Sequence, residues 1–483
     1  MDGLAALGVG DLVDRMGRGE LTSAELTAAL LDRVESIDAG PNGLRSVLQV
    51  NPVVFDEAEA ADIARARGSR APLLGVPVLV KDNIDTAAPM RTTAGSLALA
   101  DSFALRDAAL VTALREAGAI VLGKTNLSEW ANYRSASSSS GWSAVGGLTR
   151  NPHDRSRSAG GSSSGSGAAV AAGLAPLAVG TETDGSISCP ASLNGIVGVK
   201  PTVGLIAGAG IVPISATQDT AGPMARSVRD AAALLTVLAA RDVDYVACAA
   251  AGRLDGVRIG VPRSSPMFGY HRGADAAALA AIDVLADLGA EVVDDLVLPD
   301  PGAVEDAETT VLDHELRAGL ATYLTARAAA GPRSLADVIA FDDAHPDTEL
   351  EWFGQEIFLR ADATAGLDSA VYLQARATCA RVAAEFDSAL IARRIDAIAM
   401  PSYAPAWSID LVNGDRSVGG SSTLPAVAGY PLISVPCGTV PGPAGRLPVG
   451  LALTAGAWCE PVLLRIAGAY EAARGPGPVP REP

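Results

Sequence analysis

Lysine is the side chain whose use in this chain points most clearly to chemistry. The 483 residues contain 34 arginines but three lysines: Lys81, Lys124 and Lys200. A buried lysine can lose its proton and act as a base, whereas arginine stays protonated. Lys81 ends the apolar run VPVLVK, where burial should lower the pKa of its amine. It is therefore a candidate base, although a lysine at a strand end can also simply extend to solvent. Lys124 and Lys200, in GKTN and GVKP, are predicted to be turn residues with structural roles.

Serines that such a base could activate lie in two glycine-serine segments, 158–167 (SAGGSSSGSG) and 180–188 (GTETDGSIS). Such composition is typical of mobile linkers, but both segments lie between apolar stretches that resemble strands and helices. Glycines in turns let backbone N–H groups converge and bind an anion. Neither segment contains the phosphate-loop pattern GxxxxGK(S/T), and a GxSxG match at 161–165 carries little weight in so biased a run. His153 is the histidine nearest to these serines and the alternative base.

The elements that must position these residues alternate along the chain. Apolar runs predict strands, and the amphipathic stretches between them predict helices, such as the one after the capping box at 22–25. This alternation favours an α/β fold in which one large sheet is covered on both faces. Residues 300–390 are more helical and acidic, which suggests a helical insertion, and 476–483 should be a frayed tail. The strands are expected at 74–80, 119–122, 177–180, 257–261, 290–297, 395–400, 432–435 and 449–453.

Composition limits the possible partners. The net charge of -18 should repel phosphate backbones and anionic lipid, so we expect neither nucleic acid nor a membrane as partner. No secretory signal is visible at the amino terminus. Five scattered cysteines without a CxxC pair, and four histidines without metal-ligand spacing, favour a cytoplasmic protein with no metal and no other cofactor.

Several segments together closely resemble the amidase signature family. The likeness covers 75–85 (GVPVLVKDNID), 118–131 (GAIVLGKTNLSEWA), 158–202 (SAGGSSSGSG to GVKPT) and 213–232 (PISATQDTAGPM and onward). It extends to the amino-terminal helices and the total length, and it is strongest over the signature core, about 70–240. The resemblance implies one large domain with a mixed β-sheet wrapped by helices. It also implies a Ser–cisSer–Lys triad and an acyl-enzyme intermediate.

Residue by residue, the resemblance assigns three side chains to that triad. Lys81 matches the family lysine, and Ser186 in the GSIS turn matches the nucleophile. Ser162, the first serine of GGSSS, matches the bridging serine, which follows a cis peptide bond in the family. The oxyanion hole implied by the resemblance consists of the backbone N–H groups of Thr183, Asp184, Gly185 and Ser186.

Two departures from the family pattern bear on the substrate. The family commonly has Gly-Gly-Ser-Ile-Arg at the nucleophile, whereas this chain has Asp184 for the first glycine and Ser188 for the arginine. That arginine holds acidic substrates in some members, so small acidic amides are disfavoured here.

The motifs TETDGSI and QDTAGPM most resemble those of the peptide amidase branch, which removes the carboxy-terminal amide of peptides. The function expected is thus amide hydrolysis with release of ammonia, by a monomer or homodimer. A broad aliphatic or aryl amidase stays open as an alternative, and so does the A subunit of a tRNA-dependent amidotransferase. A non-catalytic relic of the fold is disfavoured because Lys81, Ser162 and Ser186 are all present.

Overall fold

An 11-stranded mixed sheet is the centre of the structure, a computed structural model that describes residues 3–250, 252–264, 266–327 and 331–481. The strands in the described residues are β1 Val47–Val50, β2 Pro77–Lys81, β3 Ile120–Thr125, β4 Trp142–Ser143, β5 Gly147–Leu148, β6 Leu177–Glu182, β7 Val197–Lys200, β8 Thr220–Ala225, β9 Arg258–Val261, β10 Glu291–Asp294, β11 Ala397–Pro401, β12 Leu432–Pro441 and β13 Arg446–Thr454. Their order in the sheet is β1-β3-β2-β6-β8-β7-β12-β13-β11-β9-β10, and β4 and β5 form a separate hairpin.

Fifteen α-helices of the described residues accompany the sheet, and the predicted α/β fold is confirmed. They are α1 Val9–Gly17, α2 Ser23–Arg33, α3 Val54–Ala66, α4 Ala109–Glu116, α5 Ser164–Ala171, α6 Ser188–Asn194, α7 Val228–Leu238, α8 Tyr245–Cys248, α9 Arg272–Asp287, α10 Glu305–Thr325, α11 Leu335–Ala344, α12 Glu356–Asp362, α13 Ala370–Arg393, α14 Thr423–Ala428 and α15 Glu460–Arg474. One large cluster of buried apolar side chains joins the sheet to most of the surrounding helices.

Strand pairing brings distant polar segments to one edge of the sheet. β6 pairs in parallel with β2, and it pairs antiparallel with β8, where Glu182 lies opposite Thr220. The carboxyl ends of β2 and β6 and the start of β8 therefore meet at the same edge. Lys81, the turn after Glu182 and the residue before Thr220 all lie there.

The first glycine-serine segment is a tightly packed helix start. Ser164 opens α5, four residues before the alanine-rich stretch that predicts a helix, and every residue of α5 is buried. A Cβ on Gly165 would lie 2.3 Å from the Ser46 carbonyl oxygen, so only glycine lets this helix approach the neighbouring backbone so closely. The small residues of this segment therefore allow close packing, and the segment is not a mobile linker.

Two peripheral regions complete the fold. Helices α10 to α13 occupy most of the segment that its composition predicts to be helical. After α15, residues 476–481 have no regular secondary structure. They nevertheless contact the rest of the protein, since Pro478 lies against Gly195. Residues 482–483 of the expected frayed tail lie outside the described residues.

Candidate active site

Lys81 ends β2 and is completely buried. Its Nζ lies 2.7 Å from Ser162 Oγ, 2.8 Å from Thr181 Oγ1 and 3.3 Å from the Thr181 carbonyl oxygen. Burial lowers the pKa of the amine to about 7, although the negative charges of Asp219 and Glu182 oppose that shift. At neutral pH a large fraction of this lysine is uncharged and can accept a proton.

Ser162 follows a cis peptide bond from Gly161 and is completely buried. Its carbonyl oxygen accepts a hydrogen bond from the Ser128 backbone N–H at 3.1 Å. A Cβ on Gly161 would lie 2.2 Å from the Ser128 side-chain oxygen, so the close approach of these two segments requires glycine there. These contacts hold the Ser162 hydroxyl against the Lys81 amine.

Ser186 lies in the turn between β6 and α6 and is 8% exposed. Its carbonyl oxygen accepts a hydrogen bond from the Ser163 backbone N–H at 3.0 Å, which holds the two glycine-serine segments together. In the described part of the chain, the Ser186 hydroxyl makes no hydrogen bond, and none joins it to the Ser162 hydroxyl. Ser186 thus carries an unpaired hydroxyl at the edge of the site.

Four consecutive backbone N–H groups of this turn form a second feature of the site. Within the described residues, none of the N–H groups of residues 183–186 donates a hydrogen bond. Gly185 makes this turn possible, because its φ is +82° and a Cβ there would lie 2.1 Å from the Tyr403 hydroxyl oxygen. Unpaired N–H groups of this kind can bind a developing oxyanion.

Side chains of the turn are held by hydrogen bonds. Glu182 accepts hydrogen bonds from the backbone N–H groups of Ile187 and Ser188, at 2.7 and 2.8 Å. Thr183 Oγ1 donates to Asp219 Oδ1 at 2.6 Å. Asp184 Oδ2 accepts a hydrogen bond from Thr423 Oγ1 at 2.9 Å. The turn is thus closed by Glu182 and held by contacts to two other segments, at Asp219 and Thr423.

Ser188 occupies the position of the common family arginine. Its hydroxyl donates to Glu182 Oε2 at 3.1 Å, and the residue is buried. The side chain therefore belongs to the support of the turn, and it adds no positive charge beside Ser186.

The expectation that Lys124 and Lys200 are turn residues is wrong. Both lie in strands, β3 and β7, and both are completely buried. Lys124 Nζ donates to Thr92 Oγ1 at 2.8 Å and lies 3.6 Å from Asp82 Oδ1, while Lys200 Nζ donates to the Tyr430 carbonyl oxygen at 2.6 Å. In each case the glycine lies inside the strand, and pairing with neighbouring strands, which GKTN and GVKP do not reveal, places the lysine in the sheet.

His153 is remote from this chemistry. Its Nε2 lies 2.9 Å from the Asn194 carbonyl oxygen, and burial lowers the pKa of the imidazole. The structure gives it no contact with Lys81, Ser162 or Ser186 among the described residues.

Sequence reasoning missed three residues that surround Lys81. Thr181 Oγ1 accepts hydrogen bonds from the Lys81 amine and, at 3.0 Å, from Asn83 Nδ2. Asp219 is the residue before β8, and its negative charge acts on the Lys81 amine. Asn83 could have been found from strand alternation, since it follows Lys81 by two residues. Thr181 and Asp219 give no local signal.

Two further features are absent from the described residues. No group of three or more His, Cys, Asp or Glu side chains there has the arrangement of a metal site. No helix of that part of the chain is long and apolar enough to cross a membrane.

Comparisons with known proteins identify the family of this chain and several relatives. A family model described as Amidase matches residues 25–464. The native peptide amidase from Stenotrophomonas maltophilia, an X-ray structure, is 47% identical, with a TM-score of 0.92 and 99% of each chain covered.

Curated relatives carry two different names. A probable amidase of Arabidopsis thaliana is 37% identical over 94% of this chain and 87% of its own length. The A subunit of a glutamyl-tRNA(Gln) amidotransferase from Roseiflexus castenholzii is 37% identical over 98% of this chain and 96% of its own length. The match of the family model over most of the chain, with the likeness to a peptide amidase along its whole length, shows that the chain belongs to the amidase signature family and is a hydrolase that acts on amide C–N bonds.

Proposed function

We propose that this enzyme hydrolyses carboxamides through a Ser–cisSer–Lys triad in which Ser186 is the nucleophile, Ser162 the bridge and Lys81 the base. The observation that carries the proposal is the 2.7 Å contact between Lys81 Nζ and Ser162 Oγ in a site where both residues are completely buried. A base of pKa about 7 is well suited to proton transfer at neutral pH.

The surroundings of Lys81 favour a neutral amine with its lone pair directed at Ser162. A neutral amine has two N–H bonds and one lone pair, whereas an ammonium group has three N–H bonds. The two oxygens of Thr181 can accept both N–H bonds of the neutral form. The lone pair then lies toward the Ser162 hydroxyl proton.

In acylation, Lys81 takes the proton of Ser162 while Ser162 takes the proton of Ser186. Ser186 Oγ attacks the amide carbonyl, and the unpaired N–H groups of residues 183–186 stabilise the oxyanion. The relay reverses to protonate the leaving nitrogen, and ammonia departs. Water then attacks the acyl-enzyme by the same proton route and frees the carboxylic acid. The Ser162–Ser186 contact has to form when substrate binds, as catalytic hydrogen bonds commonly tighten in the Michaelis complex.

Carboxy-terminal peptide amides are the substrates we propose. The likeness to a peptide amidase at 47% identity over 99% of both chains supports this choice. The buried Ser188 supports it independently, because no fixed positive charge lies there to pair with a small acidic amide. A neutral amide on a long acyl chain suits such a turn better.

A substrate panel tests this proposal. The purified chain is incubated with dipeptide amides, the matching free peptides, benzamide and propionamide, and the release of ammonia is measured. Dipeptide amides should give the highest kcat/KM, and the free peptides should stay intact. A far higher kcat/KM for benzamide or propionamide would make this a broad amidase instead. The Ser186→Ala variant is the matched control for contaminating activity.

A second candidate is the amide-cleaving component of a tRNA-dependent amidotransferase, which the relative from Roseiflexus castenholzii favours. The purified chain distinguishes the two, because the proposed enzyme hydrolyses amides without partner subunits. Ammonia release that appears only when partner subunits have been added supports the amidotransferase.

The proposal includes a cytoplasmic enzyme that works as a monomer or homodimer without metal or cofactor. The five cysteines of the chain are all free, as expected for a reducing compartment. Light scattering on the purified protein tests the oligomeric state, and full activity after dialysis against a chelator tests the absence of a metal.

A further inference from the structure

The carboxylate of Asp219 joins the nucleophile turn to a neighbouring loop. Its Oδ1 accepts a hydrogen bond from the Thr183 hydroxyl at 2.6 Å. Its Oδ2 accepts hydrogen bonds from the backbone N–H groups of Ile214 and Ser215, at 2.8 and 2.9 Å. One oxygen binds the nucleophile turn and the other binds the loop at 214–219. The carboxylate therefore sets the position of Thr183 relative to that loop.

That loop is itself held by α10. Gln218 Nε2 donates to Glu308 Oε1 at 2.7 Å, and the Ser215 hydroxyl donates to Glu315 Oε2 at 2.6 Å. Thr217 adds a backbone hydrogen bond to Glu315 at 3.1 Å. A loop fixed on both sides can hold Asp219 in one orientation, which is the condition for preorganised electrostatics.

Asp219 also acts on Lys81 through its charge. Two carboxylates oppose the effect of burial on that amine, Asp219 more strongly than Glu182. Both carboxylates also accept backbone N–H groups, Glu182 from Ile187 and Ser188 and Asp219 from the loop at 214–219, so hydrogen bonding compensates part of each charge. The uncharged groups that face the amine are Ser162 and Thr181. Asp219 is therefore the stronger of the two counter-charges that act on Lys81.

We propose that Asp219 is a positioning residue of this site: its carboxylate orients Thr183 in the nucleophile turn and supplies the negative charge that stabilises the Lys81 ammonium formed during acylation. The inference rests on the proposed function, in which Lys81 receives the proton. Burying a new positive charge without a counter-charge is costly, so a fixed anion lowers the barrier to that transfer. Burial raises the pKa of Asp219 to about 6, which leaves it mostly ionised at pH 7 and above.

The first test removes the charge and keeps the shape. In the Asp219→Asn variant, the titration midpoint of Lys81 should fall by about one pH unit, because a neighbouring anion no longer favours the ammonium form. The chain has three lysines, so side-chain NMR of isotope-labelled lysine resolves them, and the Lys81→Arg variant identifies the signal of Lys81. The acid limb of kcat/KM should move by the same amount. An unchanged or raised midpoint overturns the proposal.

The matched control is Asp38→Asn. Asp38 is another buried carboxylate, and it accepts backbone N–H groups of Ser46 and Val47 at 2.8 and 2.9 Å, away from Lys81. This variant should lose stability and keep both the native Lys81 midpoint and the native pH profile. If Asp219→Asn does not fold, Asp219→Glu replaces it. That variant keeps the charge, so it should hold the midpoint within about 0.3 pH unit of the native value, and a larger displacement overturns the proposal.

Thr183→Val tests the positioning role separately. It removes the hydroxyl that Asp219 holds and leaves the carboxylate in place, so kcat should fall at least about tenfold with little change in KM. A native kcat in this variant overturns that role. The NMR titration needs no substrate, so it decides the charge effect even if no amide is hydrolysed and the proposed function itself fails.

Discussion

The amine of Lys81 contacts the hydroxyl of Ser162 at 2.7 Å, and neither side chain has any exposed surface. A proton that leaves Ser162 therefore passes to Lys81 and not to bulk water. In the proposed mechanism the protonation state of this one amine controls the activity of the site, and the first two predictions depend on it.

Replacing Lys81 by arginine should abolish activity nearly as completely as replacing it by alanine. Arginine keeps a positive charge and hydrogen-bond donors, but it cannot act as a base. We expect kcat/KM to fall by at least about a thousandfold, measured as ammonia release. Circular dichroism should show a folded chain, since the change falls at the end of β2. Substantial activity in the arginine variant would mean that Lys81 is an electrostatic or structural residue.

Activity should rise with pH through the neutral range. Burial lowers the pKa of Lys81 to about 7, and the proposed mechanism uses the neutral amine as the base. The profile of kcat/KM should therefore be low at pH 5, half-maximal near pH 7 and level above pH 8 until another group titrates. A half-maximal point near pH 4 to 5 would instead point to a carboxylate base.

A fluorophosphonate should label Ser186. Its hydroxyl makes no hydrogen bond with the described residues, whereas Ser163 Oγ is buried and donates to the Thr181 carbonyl oxygen at 3.0 Å. Mass spectrometry of the digested adduct should place the label on the peptide that contains residue 186. An adduct on Ser163 or Ser164 would mean that the nucleophile lies in segment 158–167 and is not Ser186. Labelling should disappear in Ser186→Ala and persist in Ser163→Ala.

His153→Ala should leave turnover within about twofold of the native value, because this imidazole has no contact with the site. The substitution removes one hydrogen bond to the Asn194 carbonyl oxygen and should cost about 1 kcal/mol of unfolding free energy. Chemical denaturation measures that cost, and steady-state kinetics measure turnover. A loss of a hundredfold or more in kcat at unchanged stability would restore histidine as the candidate base.

Much of the fold could be predicted from the sequence, because many of its strands and helices show a local pattern of apolar residues. The apolar run before Lys81 predicts β2 and places a lysine at the end of a buried strand, and β2 indeed ends at Lys81. The helix predicted after the capping box at 22–25 is α2 at Ser23–Arg33, and its capping box is formed. By contrast, β1, β7 and β8 lack a distinct pattern, so no local signal predicts them. Their residues are strands because neighbouring strands bind them, which is a tertiary effect.

By itself the sequence determined the family, the α/β alternation and which lysine, of three, was the candidate base. Only the tertiary structure decided what surrounds that lysine. β6 lies between β2 and β8, so Thr181 and Asp219 meet Lys81 from segments about 100 or more residues away. Strand order depends on backbone hydrogen bonds, which every residue type can form, and on packing of the whole sheet. Neither leaves a trace in the residues next to Lys81, so its hydrogen-bond partners and its counter-charge become visible when the sheet is assembled.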